Sequence, residues 1–554
     1  MERTPARRRR GLVIGVSTAV LAAAALIGCS RDEPGPLAAG DLELPVAFAL
    51  DHDLDGLRAD ALAVSDPDDP SYRRWLDSGR IADEHGAAAT DAEAALTTLR
   101  DAGFEGDIHP TRGAIVGSMS AAEAQDLLGV PIITEDSGQL KVARPARSPQ
   151  VPRSLRDTVT AVVGLTLLHP DRPTTPGAVS GANELDCPPA PGITAQIADY
   201  YGLDPVIAAG RGGEGVVLGL LQTDQFSARA LEVFDRCYET RTAPVRTVAV
   251  DASDPAAFGP TAQESTLDII AASLVAPNLE SIVTYQFNPR SSLVFPLAAA
   301  VGDALGPDGP GVISTSIGVC ERSARDEALE LGEWLLASAA AAGVTVVAAA
   351  GDTGSSACAP SDTTEASQYP ASSPFITAVG GTQPTRRDGR IVDQQVWNTS
   401  PVTQNAGGGS TASRFDRPPY QRNLDQPGGR VVPDLAFVAA PATFGPIPVC
   451  EDTGRCTLEV VGGTSATAPG LAGAISEVMD GLDPDDPVPT RVGLLNPAIY
   501  RIAASPTAPQ VLMDVTVGNN DLYGVGCCTA GPGFDAATGW GSVNFAGLLA
   551  ELQR

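Results

Sequence analysis

The spacing of hydrophobic positions changes twice along the chain. Leu57 to Leu62 and Ala92 to Leu99 repeat at helical spacing, Ala114 to Met119 reads as a strand, and Ala121 to Leu128 is helical again. This predicts a small α+β unit over residues 43–142. Residues 143–192 lose the pattern and are rich in proline and arginine, which predicts an exposed connector that proteases can cut. A short apolar run, Val159 to Leu168, interrupts it and is expected to dock as a strand. From about residue 193 continuous apolar runs alternate with helix-like stretches. Strands are predicted at 216–221, 281–285, 312–316 and 344–349, and helices at 267–274 and 327–342. Continuous apolar strands alternating with helices predict an α/β fold with a parallel sheet covered on both faces over 193–554.

The N-terminus has a different pattern. Arg7 to Arg10 are followed by an apolar stretch, Leu12 to Ile27, shorter than the roughly 20 residues that span a bilayer. Leu26-Ile27-Gly28-Cys29 then resembles the end of a bacterial lipoprotein signal peptide. Residues 1–28 are expected to be removed, Cys29 to carry lipid that holds the protein on the membrane, and 29–42 to form a polar tether. Export to the cell envelope follows, with possible later release of the folded part. Eight further cysteines then lie in an oxidising compartment. Cys450 and Cys456 flank a turn-like segment and are expected to pair locally. Cys320 and Cys358 each follow a strand pattern, and Cys187–Cys237 would tie the start of the large unit to its early part. The adjacent Cys527 and Cys528 bridge each other, pair elsewhere or stay reduced; the sequence leaves connectivity open.

The formal net charge of −30 excludes nucleic acid as a partner, since binding it needs a basic face. Lys141 is the only lysine, and no phosphate-binding GK[ST] loop exists. The histidines are His52, His85, His109 and His169, so residues 170–554 contain none. That excludes a zinc HExxH motif and a Ser-His-Asp triad within the large unit. Any hydrolytic chemistry there needs a carboxylate as base. Gly210 to Gly215 matches GxGxxG but precedes its strand instead of following one, and reads as a loop.

Three segments carry candidate chemistry. Glu264 and Asp268 are four apart at the start of a predicted helix and share one face. Alone, they read as a solvated acidic face at a helix N-terminus. Asp352, in Ala350-Gly351-Asp352-Thr353-Gly354, follows the strand 344–349, and loops at strand C-termini of parallel sheets are where ligands bind. Ser465, in Gly462-Gly463-Thr464-Ser465, opens a helix of small residues; alone it could be an N-cap.

In their order these segments resemble the sedolisins, the serine-carboxyl peptidases that include kumamolisin and tripeptidyl-peptidase I. Tyr369 to Pro374, Ala378 to Thr382, Gly407 to Ser410, Arg430 to Asp434 and Leu494 to Pro497 are also similar to that family. Asp69 to Leu76 and Ala102-Gly103-Phe104 resemble its activation propeptide. Gly462, Thr353 and Ile317 depart from the usual pattern. The resemblance implies a subtilisin-like sheet after a propeptide domain, a self-inhibited zymogen, and an acid peptidase (endopeptidase or tripeptidyl peptidase) acting on peptides or denatured proteins, most simply as a monomer. It implies Ser465 as nucleophile, Glu264 as base supported by Asp268, and Asp352 in the oxyanion hole. It also implies one Ca2+ held by the carboxylates of Asp514 and Asp535 and the carbonyls of Val515, Gly531 and Gly533. An inactive surface lipoprotein using the same fold as a binding module is the alternative.

Overall fold

The computed structural model describes residues 36–554 except 138–139, 171–184, 186, 188–192, 209–211, 252–262, 389, 403, 441–445, 451–454 and 484–489. The proposed signal peptide and Cys29 lie outside the described residues.

The N-terminal unit is built as its periodicity predicts. Strand β1 (Glu43–Leu50) is flanked antiparallel by β3 (Ala114–Ser120) and β6 (Val159–Gly164), and β2 (Glu105–Ile108) completes the sheet beyond β3. Helices α1 (Leu54–Ser65), α2 (Ser78–Glu84), α3 (Ala89–Asp101) and α4 (Ala121–Leu128) accompany it. The start of α4 is fixed by a capping box: Ser120 Oγ accepts from the Glu123 amide while Glu123 accepts from the Ser120 amide. One face of the sheet packs Phe48, Leu96, Leu99 and Phe104 into a core of the unit's own. The unit runs further than the sequence reading places it. A second sheet, in the order β4 (Ile132–Ser137), β5 (Leu140–Pro145), β7 (Leu167–Pro170), carries it through residue 170. Residues 36–38 also join it, the Ala38 amide donating to Ile132 O at 2.9 Å. The connector between units is therefore 171–192, and the tether ends before residue 36. The single strand expected over 159–168 is two, because Gly164 and Leu165 both take positive φ and turn the chain between β6 and β7.

The large unit has an eight-stranded sheet. Its order is β16 (Arg390–Val396), β15 (Thr377–Arg387), β13 (Thr345–Ala349), β11 (Val312–Thr315), β8 (Val217–Gln222), β10 (Ser281–Gln286), β9 (Val245–Ala249), with one further strand, Leu435–Val438, beside β15. All pairings are parallel except that of β15 with β16. A short antiparallel pair, β12 (Val319–Cys320) with β14 (Gln368–Tyr369), lies outside it. Helices α5 (Ile193–Tyr201), α6 (Asp204–Ala208) and α7 (Ala228–Tyr238) precede α8 (Gln263–Val275), which packs on one face of the sheet. Helices α9 (Val294–Ala304) and α10 (Asp326–Ala341) cover the other, and α11 (Thr464–Leu482) lies against α8. The buried apolar runs of the central strands explain why periodicity located them: both faces are covered.

The two units share a core. Ala47, Ala49, Leu57 and Ala61 of the N-terminal unit pack with Phe295, Leu331, Trp334 and Leu335 of α9 and α10. Trp75 enters a slot between Gly343 and Gly493, where a Cβ on either glycine would lie 2.6 to 2.7 Å from the indole. Thr111 Oγ1 accepts from the Trp334 indole N–H at 2.9 Å. His109 is buried beside it, its Nδ1 2.8 Å from Thr111 Oγ1 and its Nε2 donating to the Ala298 carbonyl at 3.2 Å. Four disulfides are present: Cys187–Cys237, Cys320–Cys358, Cys450–Cys456 and the vicinal Cys527–Cys528.

Candidate active site

The carboxyl ends of β8, β11 and β13 and the N-terminal turns of α8 and α11 meet at one rim of the sheet. Glu264 stands in the first turn of α8, and Ser465 in the first turn of α11. The Ser465 hydroxyl faces the Glu264 carboxylate closely enough to favour its ionised form. Among the described residues, one Glu264 oxygen is nevertheless buried without a partner, and so is one oxygen of Asp268. The other Asp268 oxygen accepts from Gln222 Nε2 at 2.6 Å and from Ser316 Oγ at 2.9 Å. Ser316 Oγ also lies 3.1 Å from the Ser465 carbonyl, tying Asp268 to the turn that presents Ser465.

Burial dominates the electrostatics here. It pushes Glu264 up, with the negative charges of Asp224 and Asp352 adding and the Ser465 hydroxyl opposing. It pushes Asp268 well up, with Glu264 adding to the effect and the Gln222 and Ser316 donors opposing. Two carboxylates one helical turn apart in a dry site cannot both ionise cheaply, so the pair titrates as a unit.

Asp352 follows β13. Its Oδ1 accepts from the Thr464 amide at 2.7 Å and from Thr464 Oγ1 at 2.8 Å. Burial raises its pKa, and the Thr464 donors oppose that. Its Oδ2 faces Gly463, where a Cβ would stand 2.6 Å away and where φ is +154°. Only glycine lets the α11 turn approach this carboxyl so closely. The four residues singled out in the sequence, Glu264, Asp268, Asp352 and Ser465, thus converge.

Three neighbours were not singled out: Gln222, Asp224 and Ser316. Gln222 ends β8, Asp224 lies two residues on, and Ser316 follows β11. Each sits where a strand of a parallel sheet gives way to a loop, the position from which Asp352 was read.

The candidate metal residues also come together. Asp535 is buried, and its Oδ1 accepts from the amides of Ala537 and Thr538 and from Thr538 Oγ1, its Oδ2 from the Gly531 amide at 3.0 Å. Asp514 Oδ2 accepts from the Gly533 amide at 2.8 Å, so both carboxylates grip the 531–535 turn. Burial raises the Asp535 pKa against its backbone donors. Both carboxylates are hard oxygen donors of the kind that calcium takes. Asp60, Glu84 and His85 form a separate cluster in the N-terminal unit. There, Arg80 already holds Glu84 with two bonds of 2.9 and 3.2 Å, and His85 Nε2 meets Asp60 at 3.0 Å.

A parallel sheet wrapped by helices, with a serine opening a long helix at its carboxyl rim, defines a subtilisin-like α/β protein. Residues 35–168 match the pro-kumamolisin activation domain and residues 258–541 the subtilase family. Kumamolisin of Bacillus sp. (strain MN-32) is 34% identical over 298 residues, which is 52% of this chain and 50% of that protein. The chain thus spans about half the length of kumamolisin. Sedolisin of Pseudomonas sp. (strain 101) is 27% identical over 93% of this chain and 88% of its own length, and human tripeptidyl-peptidase 1 is 26% identical over 92% of each. Pseudomonas sedolisin, a serine-carboxyl proteinase solved with pseudo-iodotyrostatin, superposes with a TM-score of 0.55 at 24% identity, covering 68% of this chain and 99% of that one. The chain belongs to the subtilase family, as a homologue of sedolisin and kumamolisin, and it carries the activation domain of the pro-kumamolisin type.

Proposed function

We propose that the protein is an acid serine-carboxyl peptidase made as a zymogen. The observation that carries this is the Ser465 hydroxyl facing the half-buried Glu264 carboxylate in a unit without histidine. A serine hydroxyl is a weak nucleophile until a base takes its proton. Glu264 takes that proton as Ser465 Oγ adds to the peptide carbonyl carbon, then passes it to the leaving amine. Water repeats the sequence to free the acyl group. Asp268 retains a proton toward Glu264, which would engage the two oxygens now buried without partners. Asp352, protonated on the oxygen facing Gly463, donates to the oxyanion. Substrates would be peptides or denatured proteins, with endopeptidase and tripeptidyl action both open. At pH 4 a histidine base would be charged and inert, whereas one carboxylate of a coupled pair remains available.

The test is hydrolysis of denatured protein between pH 3 and 7 by wild type and Ser465→Ala. Wild type should cleave and Ser465→Ala should not. Equal rates in both, or none in either, would sink the reading.

The N-terminal unit would act as an inhibitor docked on α9 and α10, and activation would cut the proline-rich stretch between Pro170 and Ile193. N-terminal sequencing of acid-activated enzyme should find its start there. The N-terminal segment would act as a signal sequence and hold the zymogen at the cell envelope through lipid on Cys29, and the same cut would free the large unit. Asp514 and Asp535, with the carbonyls of Val515, Gly531 and Gly533, would hold one Ca2+. Bound there, the ion would neutralise two acids and pin the 531–535 turn. Chelation should lower the wild-type melting temperature by roughly 5 °C at saturating initial calcium, and leave Asp535→Ala unchanged. A wild-type shift below 1 °C would argue against the site.

A further inference from the structure

A third acid stands behind the Glu264–Asp268 pair. Asp224 lies in the loop that leaves β8 and is turned onto the start of α8. Its Oδ1 accepts from the Ser265 amide at 3.1 Å and from the Ser265 hydroxyl. That amide is one of the free amides of a helix N-terminus, which favour an anion. It belongs to the residue that follows the base. The loop is held in turn by Gln286 Nε2, which donates to the Asp224 carbonyl at 3.1 Å.

A hydrogen-bonded chain runs from Asp224 to Asp268. Ser265 Oγ faces both the Asp224 carboxylate and Gln222 Oε1, the latter at 3.0 Å, and Gln222 Nε2 donates to Asp268 at 2.6 Å. The Ser265 hydroxyl has one hydrogen. With Asp224 ionised, the stronger, charge-assisted bond holds that hydrogen. With Asp224 protonated, the hydrogen is left to the Asp224 carbonyl at 2.7 Å and to Gln222 Oε1. The state of Asp224 is therefore felt at Asp268 through the chain as well as through space.

We infer that Asp224 is a positioning residue for the reaction proposed above: it fixes the first turn of α8 and is coupled, through Ser265 and Gln222, to Asp268 of the catalytic pair. The inference rests on that reading of the site. The groups that act on the three acids are one another, Asp352, and the neutral donors Ser465, Gln222, Ser316, Ser265 and the Glu264 amide. Glu459, 3.5 Å from Gln263 beside the start of α8, is the next carboxylate outward. When ionised, Asp224 raises both members of the pair, adding to the larger effect of burial, and burial raises Asp224 itself against its Ser265 donors. Removing it makes the pair ionise more easily, so the last proton leaves at lower pH.

The experiment compares kcat/KM between pH 3 and 8 for wild type, Asp224→Asn and Asp224→Ala. Asparagine keeps an oxygen for the Ser265 amide and loses the charge. Its activity at the optimum should stay within about threefold of wild type, while its alkaline limb moves toward acid by roughly one pH unit, the scale of a neighbouring charge. Alanine should show the same displacement and also lose about tenfold or more at the optimum, because the cap is gone. An asparagine limb that does not move, or moves toward alkali, overturns the inference. In the inactive Ser465→Ala full chain, infrared titration reads the same thing without turnover: the protonated-carboxyl band of the pair should disappear at lower pH when Asp224→Asn is added, and an unchanged band overturns the inference. Activity that survives Ser465→Ala would instead overturn the assignment of the nucleophile.

Discussion

Glu264→Gln should lower kcat by about 10³–10⁴-fold with KM changed less than about threefold. Glutamine keeps the length and the hydrogen-bond acceptor facing Ser465 but cannot take its proton. The variant should also accumulate as uncut zymogen if activation is self-catalysed, so kinetics require material cleaved in trans. Stability should move the other way. A carboxyl whose folded pKa is raised costs stability as pH rises above its unfolded value, near 4.3. Neutral glutamine removes that cost, so the melting temperature at pH 7 should rise. A variant that is both more stable and nearly inactive separates loss of the base from misfolding. Retention of more than a tenth of wild-type kcat would remove Glu264 from the role.

Asp352→Ala should cost about 10²–10³-fold in kcat, the size of one lost oxyanion donor. Asp352→Asn should cost less, because a carboxamide still donates. The two should diverge with pH. Burial holds the Asp352 proton above the ordinary carboxylate range. The wild-type donor is present at low pH and disappears as pH rises through that raised value. Asparagine does not titrate, so its activity relative to wild type should improve toward pH 7. Pre-steady-state acylation rates across pH measure this directly. A wild-type optimum above pH 7.5 with both variants equally inactive would mean that base or donor is misassigned.

The strands of the large sheet were legible because burial on both faces makes each a continuous apolar run. The reacting residues were legible because their local settings are distinctive: two acids at i and i+4, an aspartate just beyond a strand, a serine in a glycine-rich turn before a helix. Asp224, Gln222 and Ser316 were not. Each is an ordinary polar residue at a strand end, and its meaning comes from side chains 40 or more positions away: Asp224 from Ser265, Gln222 and Ser316 from Asp268. The boundary at 142 failed for a related reason. Strand β5 carries Lys141, Arg144 and Pro145, so its composition reads as connector, and only its pairing with β4 and β7 makes it part of the fold.

His109 gives the seam between the two units a chemical sensitivity. Its Nε2–H is committed to the Ala298 carbonyl, and its Nδ1 meets a threonine oxygen that already accepts from Trp334. Burial pushes the ring down to about 4, and no charged group acts on it in compensation. An imidazole that meets water titrates near 6.5. Protons therefore compete with docking. The hold on the N-terminal unit should be full above about 6.5 and weaken by up to about tenfold per pH unit between there and about 4. Under the proposed activation, cutting the chain and releasing the N-terminal unit would then be separate events, one covalent and one set by acidity. A nicked but neutral zymogen would remain a closed complex until the medium turned acid.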